Sequence, residues 1–299
     1  MSSTIERRIN FYKINFRKDS SDVCPSCIFN HIRDLPFDNN GKYFSMANGN
    51  SRCMFVEKSD DYPIKCSIGN RRNNNLPLVE ESGKTEPLEI KSTQTLYEPM
   101  HFVIFNHNII GAEYNSYAPR ISSLEDYIIN KAGSFVDTIE IIPLVNEDIS
   151  KIIANMGNIK KFSFAVHKNR LQHIEELDKN MVDGIKKLGE STESDIIEVI
   201  IRPKKHHKKS ISLNFLDKLP NFLSNHSDTV DTCKFKAEDI SNENKIEIFN
   251  LLNNFVFSKK IVETISENQR HVNSDSVFKS IISAYNERYN DIKQIIKGK

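Results

Sequence analysis

Two adjacent histidines, His206 and His207, sit in the run Arg202-Pro-Lys-Lys-His-His-Lys-Lys-Ser210. Imidazole changes charge near neutral pH and can pass protons, while lysine and arginine neutralise phosphates and release their counterions. The five cations of this run, Arg202, Lys204, Lys205, Lys208 and Lys209, make it a candidate nucleic-acid grip. With the histidines it is also a candidate for metal-independent RNA cleavage. The plain alternative is a solvated loop that keeps a sheet edge soluble. His167-Lys168-Asn169-Arg170 is a second basic point, where a strand end leads into a helix, a favoured place for anions. There Lys168 and Arg170 would bind phosphate, and His167 is a third candidate for acid–base work. Arg71-Arg72, in a polar stretch, is the third basic point. If the three loops share one rim they form a single phosphate-binding face.

Other reactive residue types carry weaker patterns. Cys24-x2-Cys27 with Cys53 and Cys66 could supply four thiolates to zinc, but twelve residues separate the second pair, and both its members fall in predicted strands. Small apolar filler is the competing role for these side chains. Glu113 emerges from an apolar strand near His101, Tyr114 and Arg120, and needs a partner there; a structural ion pair of Glu113 with Arg120 is expected. There is no Gly-x-x-x-x-Gly-Lys loop, no Gly-x-Gly-x-x-Gly after a strand, no Gly-x-Ser-x-Gly and no His-Glu-x-x-His. Asp137, Glu140, Asp195 and Glu198 lie at strands without the lysine spacing of metal nucleases. No cofactor is expected.

The elements that position these residues follow from hydrophobic rhythm. Strands are predicted at Ile9–Phe16, Arg52–Glu57, Ile64–Ile68, Thr138–Val145, Lys160–Val166 and Asp195–Arg202, then at Thr229–Ala237, Lys245–Leu251 and Phe255–Thr264. A strong hairpin runs from Phe102 to Asn115, and positions 69–95 read as a long polar loop. Helices are predicted from Ser20 to a stop at Pro36, then at Ile121–Ala132, Asn146–Met156, Arg170–Leu188, Ser212–Leu223 and Asn273–Arg288. The expected class is α+β or α/β: a mixed sheet with flanking helices and an irregular N-terminal third. A β-rich region would span 1–134 and an α/β region 135–299, with one continuous domain as the alternative.

The 41 basic and 40 acidic residues nearly cancel, so any polyanion surface must come from local clustering. No apolar run reaches the ~18 residues of a membrane span, the first residues lack a signal-peptide core, and five cysteines suggest no disulfide framework. A cytoplasmic protein is expected.

Ile68-Gly-Asn-Arg-Arg…Leu76-Pro…Glu80…Gly83, Leu96-x-Glu98-x-x-His101-Phe-Val-Ile-Phe and Ile110-Gly-Ala-Glu-Tyr-Asn…Ala118-Pro-Arg-Ile-Ser-Ser-Leu occur together with Asn273-Ser-Asp-Ser-Val-Phe…Ala284-Tyr285. In these motifs the chain resembles a bacterial protein family of similar length, associated with phage defence and mobile elements. The resemblance spans nearly the whole chain and implies an intracellular defence role, without catalytic residues. Cys24 and Cys27 stand outside its pattern. Three functions follow as expectations: an anti-phage protein that senses RNA or DNA through the basic loops; a metal-independent endoribonuclease; and a subunit that binds a partner defence protein or a phage protein.

Overall fold

The computed structural model describes residues 3–46, 49–57, 61–72, 76, 78–91, 93–146, 148–167, 171–192, 194, 196–204, 210–211, 213–226, 230–266 and 271–297. The chain forms two compact units: Met1–Ile142 with Phe257–Asn290, and Pro143–Val256 with Asp291–Lys299. Strand outweighs helix, 41% against 31%, so the fold is a strand-rich α+β one.

The first unit begins with β1 (Thr4–Lys18), followed by β2 (Ser21–Asp22) and α1 (Pro25–Asp34). Proline at the start of α1 needs no intrahelical hydrogen bond, and Ile28, Phe29 and Ile32 bury one face of that helix. Short β3 (Phe44–Ser45) leads to β4 (Ser51–Val56) and β5 (Ile64–Arg72). The predicted long loop contains a two-stranded hairpin, β6 (Leu78–Glu81) and β7 (Lys84–Pro87). Its turn residues Ser82 and Gly83 both take positive φ, which suits the twist of a tight hairpin. Next come β8 (Leu96–Phe105) and β9 (Ile109–Glu113), joined by a turn with His107 and Asn108 at positive φ, then α2 (Ser123–Ala132) and β10 (Thr138–Pro143). The sheet order is β10-β1-β9-β8-β5-β4-β3.

In the second unit a side-chain cap from Asp148 starts α3 (Ile149–Ala154). Then β11 (Met156–His167), α4 (Leu171–Ile174), α5 (Lys179–Thr192), β12 (Ile196–Ile201), α6 (Leu219–His226), β13 (Val230–Asp239) and β14 (Lys245–Asn250) follow. The single helix expected over 170–188 is two. The Leu177 N–H already bonds back to the Ile174 carbonyl, and Asp178 Oδ1 accepts the Met181 N–H at 2.9 Å as a new helix start. The sheet is antiparallel, in the order β12-β11-β13-β14. Phe162, Phe164, Val166, Cys233 and Phe235 face a core with apolar residues of α3–α6.

The chain then returns to the first unit with β15 (Phe257–Glu263) and α7 (Ser274–Lys297), the latter counted there as far as Asn290. β15 pairs with residues 4–10 of β1 while β9 pairs with residues 9–13 on the same strand. Ile9 and Asn10 are paired on both sides, so β15 and β9 lie on opposite edges of β1, and this return of the chain is why the division is not a simple cut near 134. α7 lies close on β9: a side chain at Gly111 would come within 2.9 Å of Ile281, and Tyr285 stacks on Phe105 with ring centroids 3.8 Å apart. No helix among the described residues is long and apolar enough to cross a membrane.

Candidate nucleic-acid interface

The sheet of the second unit has one face committed to its core. By strand alternation, the other face carries Ile200 and Glu198 on β12, Lys161, Ser163 and Ala165 on β11, Thr232, Lys234 and Lys236 on β13, and Ile248 on β14. Register brings the cations abreast. Lys161 is paired directly with Lys236, and Ser163 beside it with Lys234. Phe162 pairs with Ile201, so Arg202 leaves the sheet next to Lys161. Arg202, Lys204, Lys234 and Lys236 are exposed, and Lys161 is half-buried.

Among the described residues, none of these five cations has a carboxylate within ion-pairing distance. Neighbouring Lys160 does: its Nζ is 3.1 Å from Glu238 Oε1, and Asn158 Nδ2 donates to Glu238 Oε2 at 2.8 Å. Those two contacts, the Asn158 bond first, hold the Glu238 carboxyl below its usual range. Like charges placed directly opposite across a ladder repel. An anion spanning Lys161 and Lys236 would relieve this repulsion.

Of the loops expected to converge, Arg202 adjoins this face, and Lys204 follows it as an exposed residue beyond the strand. Lys168, Arg170, Lys205, His206, His207, Lys208 and Lys209 lie outside the described residues. His167 ends β11 opposite Ile196, and its side chain too lies outside the description. Arg71 and Arg72 are not loop residues but the last two of β5, in the first unit, paired with Tyr97 and Leu96. The Arg71 guanidinium sits 3.5 Å over the Tyr43 ring and donates to Ser51 Oγ at 3.2 Å, so this side chain packs against its own unit. Sequence reasoning missed Lys161, Lys234 and Lys236. Their signal was the alternation Cys233-Lys-Phe-Lys-Ala237 set against Lys161-Phe-Ser-Phe.

The remaining candidates are arranged differently from expectation. Glu113 is buried, and the side chains it meets are the His101 imidazole and Arg7, with Arg7 Nε 3.5 Å from its Oε2. Arg120 is not its partner; that guanidinium lies 5.0 Å from the Tyr114 ring centroid. The hairpin register decides this, because Phe102 pairs with Ala112 and so sets His101 opposite Glu113. The cysteines do not assemble a zinc site: Cys24 and Cys27 are exposed at the start of α1, whereas Cys53 and Cys66 are buried in β4 and β5. Among the described residues no three His, Cys, Asp or Glu side chains are grouped to hold a metal. No protein-family model matches the chain, and no curated protein matches it either.

Proposed function

We propose that the chain binds nucleic acid through the open sheet face of its second unit, in the phage-defence setting that the sequence resemblance implies. One observation carries this reading: Lys161 and Lys236 stand opposite each other on β11 and β13, Arg202 follows the end of β12 beside Lys161, and Lys234 is on the next rung, with no carboxylate at ion-pairing distance among the described residues. A phosphodiester backbone supplies anions in a line, and each one it places against a lysine or arginine releases a counterion. Exposed Ile200 and Ile248 flank these cations and offer apolar surface beside them.

Fluorescence anisotropy of labelled RNA and DNA oligonucleotides over a salt series tests the proposal. Four phosphate contacts to duplex DNA give a log–log salt slope of about −3.6, and fewer contacts a proportionally shallower one. No binding at low salt, or binding unaltered by Lys161→Glu together with Lys236→Glu, overturns it.

A further inference from the structure

A second site lies in the first unit, independent of the cationic face, and the chemistry there is of another kind. Glu113 and His101 are opposite each other on β9 and β8. Glu113 Oε1 accepts the His101 backbone N–H at 3.0 Å and also the ring Nδ1–H. The carboxylate is fully enclosed, with Arg7 beside its other oxygen, and the imidazole is almost fully enclosed. With Nδ1 donating to a carboxylate, Nε2 is the acceptor nitrogen of the ring. It faces Ser274 Oγ at 2.9 Å. The Phe278 ring stands edge-on to the imidazole, centroids 5.3 Å apart at 83°, and fixes its plane.

Ser274 itself is exposed. An accessible hydroxyl, an imidazole that can take its proton, and a buried carboxylate that orients the imidazole are the three parts of an activated serine. Its position on α7 adds a fourth. Asn273 closes the helix start, its side-chain oxygen accepting the Ser276 N–H and its carbonyl the Val277 N–H, both at 3.0 Å. The Ser274 and Asp275 N–H groups of the first turn have no acceptor among the described residues. Such donors, at the positive end of a 24-residue helix, can stabilise negative charge that develops on an oxygen next to Ser274.

The surroundings indicate the substrate. A groove of 510 Å³ opens beside Ser274 and His101, with apolar walls from Phe55, Tyr97, Pro99, Ile265, Val272 and Phe278. Phe55 and Ile265 keep 44% and 65% of their surface exposed, so the walls are open to an incoming apolar group. Glu57, also on the lining, is paired with Lys65, whose Nζ lies 3.1 Å from its Oε2, so it presents no free charge to an incoming group. We propose that Ser274 is a nucleophile with His101 as its base and Glu113 as the orienting carboxylate, acting on uncharged esters or amides with an apolar acyl group.

In the first half-reaction Ser274 Oγ bonds to the carbonyl carbon as its proton passes to His101 Nε2. The bond from that carbon to the leaving oxygen or nitrogen then breaks, and the leaving group takes the proton from Nε2. In the second half-reaction water adds to the acyl-serine, giving a proton to Nε2; the Oγ–carbon bond breaks, Oγ recovers the proton, and the acid departs. Glu113 holds the imidazole in place throughout and takes no proton.

The full-length chain is treated with an alkyl fluorophosphonate, the modified residue is mapped by mass spectrometry, and hydrolysis of p-nitrophenyl butyrate is followed in parallel. One adduct on Ser274 is expected, together with ester hydrolysis that falls at least about a hundredfold in Ser274→Ala and in Glu113→Gln. Circular dichroism shows whether each variant folds. No adduct on Ser274 in the parent protein, or equal hydrolysis by parent and folded Ser274→Ala, overturns the proposal. Should a variant fail to fold, the mapping on the parent chain decides alone.

Discussion

Lys161 stands directly opposite Lys236 across the β11–β13 ladder, with no carboxylate at ion-pairing distance among the described residues. Stability and binding therefore pull in opposite directions at this rung. Lys236→Glu converts a like-charge pair into an opposite-charge one and should raise unfolding stability by about 0.5 kcal/mol. The same change should weaken nucleic-acid binding and make the salt slope shallower by about 1 or more, since one phosphate contact is lost and a repulsive charge is added. Urea denaturation and a salt titration on the same preparation read both effects. A variant that is less stable and binds equally well contradicts this account of the face.

Much of this architecture is legible in the residues themselves, and the parts that are not share a cause. β1, the β8–β9 hairpin and α7 announce themselves through apolar rhythm and caps, and the enclosed position of Glu113 follows from the two-sided apolar character of its strand. Pairing across the chain is what sequence withholds. Glu113 meets Arg7 and His101 rather than nearby Arg120, because register and not proximity in the chain decides its partners. Ser274 reads as one more polar residue at a helix start, and its histidine partner is 173 residues away. Lys161 and Lys236 come abreast only once β11 and β13 are aligned. The split at Asp178 is a milder failure, where a local cap outweighed a continuous apolar stripe.

Tyr127 ties three separate parts of the first unit together. Its ring is fully buried in α2, its hydroxyl donates to the Lys42 carbonyl at 2.8 Å, and the Met54 N–H donates to it at 3.1 Å. Burial pushes the phenol above its ordinary range, so it remains a donor. Tyr127→Phe keeps the ring and leaves one buried carbonyl and one buried N–H unmet. A loss of about 1–3 kcal/mol in unfolding free energy is expected from denaturant titration. A change below roughly 0.5 kcal/mol would mean that the two backbone groups find other partners.

Thiol reactivity should separate one cysteine from three others. Cys24 is exposed, and its hydrogen bond with Ser26, 3.0 Å between Sγ and Oγ, holds its thiol below the usual value. Burial pushes Cys53 up to about 11 and raises Cys66 and Cys233 as well. Alkylation proceeds through the thiolate. Iodoacetamide at neutral pH is therefore expected to modify Cys24 well before Cys53, Cys66 or Cys233, which should react only after denaturation. A mass-spectrometric time course checks the order, and Ser26→Ala should slow the Cys24 reaction.

The ion pair that joins β1 to the approach of β10 gives the first unit an acid-sensitive contact. Lys18 Nζ is 2.6 Å from Asp137 Oδ1, and the Asp19 N–H donates to Oδ2 at 3.1 Å. The Lys18 hydrogen bond first, and the Asp19 N–H second, hold the Asp137 carboxyl below its normal value, and the same pair raises Lys18. A depressed carboxyl stabilises the fold at pH above the unfolded-state carboxylate range and loses that contribution as pH falls through the depressed value. A raised lysine stabilises below its unfolded value and loses the contribution only as pH climbs through the raised one. The pair thus works at neutral pH and fails at both extremes. Both side chains are well exposed, so the effect is small and weakens with salt. Asp137→Asn should lower Tm at neutral pH, with a difference from the parent that closes as the solution is acidified below the carboxylate range. Thermal melts over that pH series decide it: a difference that persists once the carboxylate is protonated would assign the role of Asp137 to its hydrogen bonds and not to its charge.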